Sequence, residues 1–233
     1  MNRRRMMGNR YHVDGKGEIT DDWETIIENI NAGNEKKFYK PGSYKPLVVD
    51  GVTYRAELAG FATDTDWQTS EVLATAWIFK ELSAKSRVYN HDSSADTSSY
   101  RRYDSSYANT FYGKIPSPVK GAIKGTRKNI YHTIVQVLGS QTCTVFDADI
   151  ERQFIWVPSA KELEDGIYTV KAGNPNSMAK TVAGTNEVHK YPLRSLGADA
   201  NQDACFDMVD ENGNLLKATG YGGASHQCFG FCI

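Results

Sequence analysis

Residues 45–58, Lys-Pro-Leu-Val-Val-Asp-Gly-Val-Thr-Tyr-Arg-Ala-Glu-Leu, constrain the fold more than any other stretch. Two β-rich runs flank Asp50-Gly51, and that dipeptide accepts the positive φ angles that a two-residue hairpin turn demands. An antiparallel ribbon is predicted here. Before it, Trp23, Ile26, Ile27 and Ile30 share one face of a helix. Thr20 or Asp21 is expected to cap that helix, Asp22 and Glu24 load its first turn, and Gly33 stops it.

Beyond the ribbon, Phe61 to Asp66 leaves the sheet, and the apolar spacing of Val72, Leu73, Ala76, Phe79 and Leu82 predicts a helix over 70–84. A polar loop follows at 89–99. Ser98 or Ser99 then caps a helix carrying Tyr100, Tyr103, Tyr107 and Phe111. Pro116 and Pro118 open a short helix with Val119, Ala122 and Ile123 on one side. Strands are expected at 134–138, 142–146 and 154–157, with a capped helical turn over 158–163. A Gly-, Asn- and Ser-rich loop spans 172–187. The end returns to strands at 204–209 and 215–218, separated by a turn at 210–213. A glycine-rich turn, Gly220-Tyr221-Gly222-Gly223, leads into a last strand over 227–233. Helices gather in the first half and hairpins at both ends, without strand–helix–strand alternation. The fold class is α+β, in one domain.

Balance of charge narrows the function. Among 233 residues, 27 are Lys or Arg and 28 Asp or Glu, a net charge of −1 that excludes binding driven by a bulk basic field. With 40% hydrophobic and 24% charged residues, disorder is excluded for most of the length. No run approaches the ~20 apolar residues of a membrane span. The start, Met1-Asn2-Arg3-Arg4-Arg5, is basic as in a signal peptide, but the following residues are polar, so residues 1–21 read as an arm rather than an export signal.

Templates for catalysis come up empty. The chain has no Gly-x-Gly-x-x-Gly, phosphate-loop, Gly-x-Ser-x-Gly or His-Glu-x-x-His motif. His12, His91, His132, His189 and His226 are scattered and read as ordinary polar side chains, although His226 beside Cys228 could in principle activate a thiolate. Cys143, Cys205, Cys228 and Cys232 form no CxxC pair, so no structural zinc site is expected. Cys228 and Cys232 fall on one face of the last strand, too far apart to bond, and read as buried free thiols. Asp199, Asn201 and Asp203, with Asp207 and Asp210 beyond, resemble the start of a calcium loop; the turn glycine is absent, and a solvated acidic loop is the plainer reading. No metal and no cofactor is expected. Tyr, Ser, Asn and Asp dominate between Tyr89 and Tyr112, a composition suited to recognition because tyrosine offers large contact area at small entropic cost. Candidate ligand-binding residues are Tyr89, His91, Asp92, Arg101, Arg102 and Tyr221, whereas Tyr100, Tyr103 and Tyr107 read as a core-facing stripe.

Over residues 22–233 the order of segments resembles a domain family of unknown function found in phage structural proteins and in surface proteins of gut Firmicutes. The resemblance runs through Trp23-Glu24-Thr25-Ile26-Ile27, Ala32-Gly33, residues 38–45, Val49-Asp50-Gly51 and Ala59-Gly60-Phe61 with Asp64. It continues through Ile115-Pro116 with Val119 and Ile123, Trp156 to Leu163, Leu193-Arg194-Ser195, Val209 to Gly213 and Gly230-Phe231-Cys232-Ile233. Tyr191-Pro192 stands where the family has Trp, and Ser98-Ser99-Tyr100 replaces its Gly-Gly-Trp.

That family is similar to the C-type-lectin-like fold of formylglycine-generating enzymes and phage receptor-binding proteins. The resemblance implies a small twisted antiparallel sheet joining the chain ends, packed helices and long display loops. It implies structural roles for Trp23, Asp50, Gly51, Trp156, Arg194 and Ser195, with the Arg194 fork tying backbone carbonyls or a carboxylate. The leading expectation is a non-enzymatic virion accessory protein (a decoration, fibre or baseplate-associated module) made in the host bacterial cytoplasm. Its partners would be other virion proteins within an oligomeric assembly and a host-surface glycan or protein, with neither nucleic acid nor a membrane span involved. The alternatives are a formylglycine-type cysteine and copper oxidase built on Cys228 and Cys232, or a cytoplasmic partner-binding protein.

Overall fold

The computed structural model describes residues 17–88, 105–138, 141–168, 180–198, 204–220 and 224–233. Its first ribbon joins β1 (Tyr44–Val49) to β2 (Val52–Phe61), with Val49 paired to Val52. Two residues therefore make the turn, Asp50 at φ 52° and Gly51 at φ 80°. Those values are the left-handed pair that matches the right-handed twist of the strands. β2 pairs with β3 (Thr75–Phe79), and β3 pairs with β13 (Gly230–Cys232), giving the strand order β1-β2-β3-β13. The last residues of the chain thus lie in the same sheet as its first hairpin.

β3 corrects the helix predicted over 70–84. All five of its residues, Thr-Ala-Trp-Ile-Phe, are buried because the strand is central and covered on both faces. A short, uninterrupted apolar run has no period of its own, and here β-branched and aromatic side chains with two flanking strands decide for β. Alternation then sorts the sheet. Trp77, Phe79, Phe229 and Phe231 face one cluster with Trp23, Ile26, Ile30 and Phe111. Ala76, Ile78, Cys228 and Cys232 face the other with Trp156, Leu163, Tyr168 and Tyr191.

Helix α1 (Trp23–Asn31) lies against the first face, with the Trp23 and Trp77 rings 5.2 Å apart, edge to face. Its cap is Asp22, one residue beyond the expected position, whose carboxylate accepts the Thr25 N–H at 2.8 Å. Gly33, at φ 67°, ends the helix as expected. Residues 1–16 of the expected arm lie outside the described residues, and Ile19, at its far end, is buried and donates its N–H to Tyr44 O at 2.7 Å.

Short helices α2 (Glu35–Phe38), α3 (Ser106–Lys114) and α4 (Val119–Ala122) follow in the first half. Ser98, Ser99, Tyr100 and Tyr103 lie outside the described residues; within them α3 starts after Ser105 and buries Phe111. β5 (Thr126–Leu138) and β6 (Gln141–Gln153) form a long antiparallel pair, which extends well beyond the two short strands expected there. The strand expected over 154–157 reduces to one bridge, Trp156 with Gly230. Helix α5 (Ala160–Glu164) carries a full capping box between Ser159 and Glu162, as the sequence implies.

β9 (Tyr191–Ala198), β10 (Ala204–Val209) and β11 (Leu215–Gly220) make a second sheet in the order β11-β10-β9. Two small ribbons complete the described structure. β7 (Lys180–Thr181) pairs with β8 (Val188–His189) inside the segment read as a loop, and β4 (Arg87–Val88) pairs with β12 (Ala224–Ser225). The last strand is shorter than its predicted span: before regular pairing begins, the Gln227 and Phe229 carbonyls accept the Ser83 and Phe79 N–H groups, and the Gln227 N–H turns to the Ser83 side-chain oxygen at 2.9 Å. The whole is a mixed α+β arrangement of small antiparallel sheets with few helices.

Candidate functional site

Two polar clusters stand out, one open and one closed. The open one is a groove of about 190 Å³ between the Asp50-Gly51 turn, the chain around Ala84–Arg87, and α3. The hairpin sets its floor: Tyr54 is buried, and its ring meets Phe79 and Phe111 at 5.3 and 5.4 Å. Tyr54 Oη accepts the Ala84 N–H at 3.0 Å. Burial pushes that phenol up to about 12, against the opposing pull of the Ala84 N–H, so it stays protonated and can donate. Around the rim, Lys85 and Lys114 reach Asp50 at 3.2 and 4.0 Å, and the Arg87 guanidinium lies over the Tyr107 ring, 5.9 Å from its centroid. Three cations face one carboxylate. Such a groove suits a small ligand carrying negative charge and an apolar or ring face.

The closed cluster sits behind the second face of the sheet. Lys128 points inward from β5, with Asp64, Glu162, Tyr168 and the Trp156 ring around it. Its ammonium is ion-paired to Asp64 and to Glu162 Oε1, the latter at 2.9 Å, and donates to Tyr168 Oη at 2.6 Å. The Trp156 ring lies 4.2 Å from Lys128 Nζ. Arg194 bridges from β9: Nε donates to Asn129 O at 3.0 Å, Nη1 to Val157 O, and Nη2 pairs with Glu162 at 2.6 Å. Burial alone would raise the Glu162 carboxyl, but the cations Arg194 and Lys128 outweigh it and hold the group well below the usual carboxylate range. Cys232 Sγ lies 3.5 Å from Asp64 Oδ2, and burial, reinforced by Asp64, pushes its thiol up.

All six residues expected to be structural lie among the described residues. Trp23 Nε1 donates to Pro46 O at 3.0 Å, tying α1 to β1. Asp50 and Gly51 form the turn, and Arg194 grips two carbonyls and a carboxylate. Ser195 Oγ donates to Asp207 at 2.6 Å and accepts the Ala160 N–H at 3.0 Å. Trp156 lies flat over Gly230, where a Cβ would collide with its ring.

The candidate ligand residues Tyr89, His91, Asp92, Arg101, Arg102 and Tyr221 lie outside the described residues, as do Asp199, Asn201 and Asp203. Their described neighbours are informative: Val88 pairs with Ala224, so the chain leaves for 89–104 and returns from 221–223 at one place. That place adjoins the groove through Arg87 and Tyr107. Of the two carboxylates beyond the calcium-like spacing, Asp207 is engaged by Ser195, and Asp210 accepts the Asn212 and Asn214 N–H groups at 2.9 and 2.7 Å. Among the described residues no group of three or more His, Cys, Asp and Glu side chains is arranged to hold a metal.

Cys228 and Cys232 are free and buried, on the same face as expected. His226 Nδ1 sits 2.6 Å from Ser83 O, and its ring lies 5.1 Å from that of His189. Sequence reasoning missed Lys128, Glu162, Tyr168 and the groove residues Lys85, Arg87 and Lys114. A signal for Lys128 existed: Thr126, Lys128 and Ile130 alternate inward with Arg127 and Asn129 outward. Among the described residues no helix is long and apolar enough to cross a membrane. Set against known protein families, curated proteins and solved structures, the chain matches none of them.

Proposed function

We propose that this chain is a non-enzymatic binding module of C-type-lectin-like fold, an accessory protein of a phage particle that engages an anionic host-surface ligand through the groove. The groove carries this reading. It is the place where open cations, a protonated phenol and aromatic faces converge, and it adjoins Arg87–Val88, the described end next to the Tyr-, Ser-, Asn- and Asp-rich stretch whose composition suits recognition. The fold assignment is supported by the tail strand β13 lying in the sheet of the first hairpin. The virion assignment rests on the ordered resemblance in sequence. Burial of both described thiols, with raised pKa values, supports a role without cysteine chemistry, since a thiolate is the reactive and metal-binding form.

Mass spectrometry of purified particles from an infected host is the test. The reading expects this chain in fixed multiple copies per particle. Its absence from particles, with the protein abundant in the host lysate, would return it to the cytoplasmic partner-binding class.

A further inference from the structure

The closed cluster has the parts of a condensation reaction. A primary amine and two carboxylates meet where solvent is absent: the Lys128 side chain is 1% exposed and that of Asp64 6%. Keeping an ion pair in such a place is costly, because both ions forfeit hydration. A neutral amide in the same position would carry no such cost. We propose that Lys128 Nζ and Asp64 Cγ join in an intramolecular isopeptide bond, with Glu162 carrying the protons.

The geometry supplies each step. Glu162 Oε1 lies 2.9 Å from Lys128 Nζ, within proton-transfer reach. It takes one proton from the ammonium, and Tyr168 Oη, 3.4 Å from Glu162 Oε1 and 3.3 Å from Asp64 Oδ2, relays a proton to Asp64, leaving a neutral amine beside a neutral acid. The amine lone pair attacks Asp64 Cγ, and the carbonyl electrons move onto oxygen. Tyr168 Oη, 3.4 and 3.3 Å from the two Asp64 oxygens, and the Cys232 thiol, 3.5 Å from one of them, are placed to hold that developing charge. Burial pushes the Tyr168 phenol well up, so it keeps its proton.

Glu162 then takes a second proton from nitrogen, and the same Tyr168 hydroxyl relays one to the departing hydroxyl. The C–O bond breaks, the N–C bond is complete, and one water leaves. An ammonium and a carboxylate become an amide and water, with no oxidant, reductant or co-reactant. The Trp156 ring at 4.2 Å and the Tyr168 ring at 5.3 Å from Nζ wall the site against hydrolysis. Glu162 is held for this task by Arg194 at 2.6 Å and by the Ser159 N–H at 2.8 Å. The bond would staple the end of β2 to β5, joining the central sheet to the long hairpin. This inference stands apart from the binding role proposed above.

Intact mass of the full chain, taken under denaturing conditions, tests it directly. The expected mass is one water below that of the sequence. Trypsin should release residues 56–80 covalently joined to residues 128–152, with no cleavage after Lys128. Lys128→Arg and Glu162→Gln should each restore the full sequence mass, and the denatured readout holds whether or not the variant folds. Asp64→Asn should lose ammonia in place of water if it reacts. A wild-type mass equal to the sequence, or a missing water mapped to other peptides, overturns the proposal. A Glu162→Gln chain that still lacks the water removes Glu162 from the reaction.

Discussion

The groove and the closed cluster are built from the same chemistry: lysine and arginine, acidic side chains, tyrosine and other aromatic rings. They differ in water. Lys85 and Lys114 are 60% and 56% exposed, whereas Lys128 and Arg194 are 1% and 4% exposed. Around the groove, solvent screens each pair, so the charges there contribute little to stability and remain available to a ligand. In the closed cluster the same charges are strongly coupled, every partner is needed by the others, and none is free to meet a visitor. Burial, rather than residue type, separates recognition from architecture in this molecule.

Arg194→Met should break that contrast most forcefully. It leaves the buried Glu162 carboxylate and the Asn129 and Val157 carbonyls short of a donor, and losing one partner of a buried pair costs about 3–5 kcal/mol. Urea denaturation should show it as a large drop in midpoint. If Arg194→Met cost no more than Lys85→Met, the two clusters would not differ in kind. Gly230→Ala comes next. The added methyl meets the fully buried Trp156 ring, which has no room to retreat, and overpacking of this sort costs about 1–3 kcal/mol.

A smaller effect should follow pH. The folded Glu162 carboxyl lies below its ordinary value of 4.5, so the group lends stability above that value and gives it up as pH falls beneath it. Urea midpoints taken between about pH 2 and pH 7 should therefore show wild type and Glu162→Gln converging as acid is added. A difference between the two proteins that stayed constant down to the lowest pH would contradict the depressed carboxyl.

Much of the fold was legible because local chemistry carried it. The Asp50-Gly51 turn, the Gly33 stop, the Ser159–Glu162 capping box and the shared face of Cys228 and Cys232 each follow from a few neighbouring residues. β3 was misread for the opposite reason. Its five residues are buried on both sides by partners distant in sequence, β2 and β13, and a run covered on both faces shows no alternation. The site divides the same way. Arg194 and Ser195 were legible through a resemblance, but nothing near Asp64, Lys128 and Glu162 announces that three elements bring them together. The groove cations were unreadable too, since Lys85, Arg87 and Lys114 look like any solvated lysine or arginine until the fold sets them around Tyr54.

The groove itself offers the finest cut. Lys85→Glu combined with Arg87→Glu reverses two exposed charges that support no buried group, so stability should move by no more than about 0.5 kcal/mol. Recognition should respond far more, because the rim would then carry carboxylates toward an anionic ligand at close range. Isothermal calorimetry with an acidic oligosaccharide is the measurement, with a neutral oligosaccharide of equal length as control. Wild type should bind the acidic sugar, more weakly as salt is raised, and the double variant should bind neither. Tyr54→Phe removes only the buried hydroxyl and, with it, the Ala84 contact, so it should weaken binding while leaving its salt dependence intact. Equal binding of the acidic and neutral sugars would show that ring contact with Tyr107 and Phe111, rather than rim charge, selects the ligand.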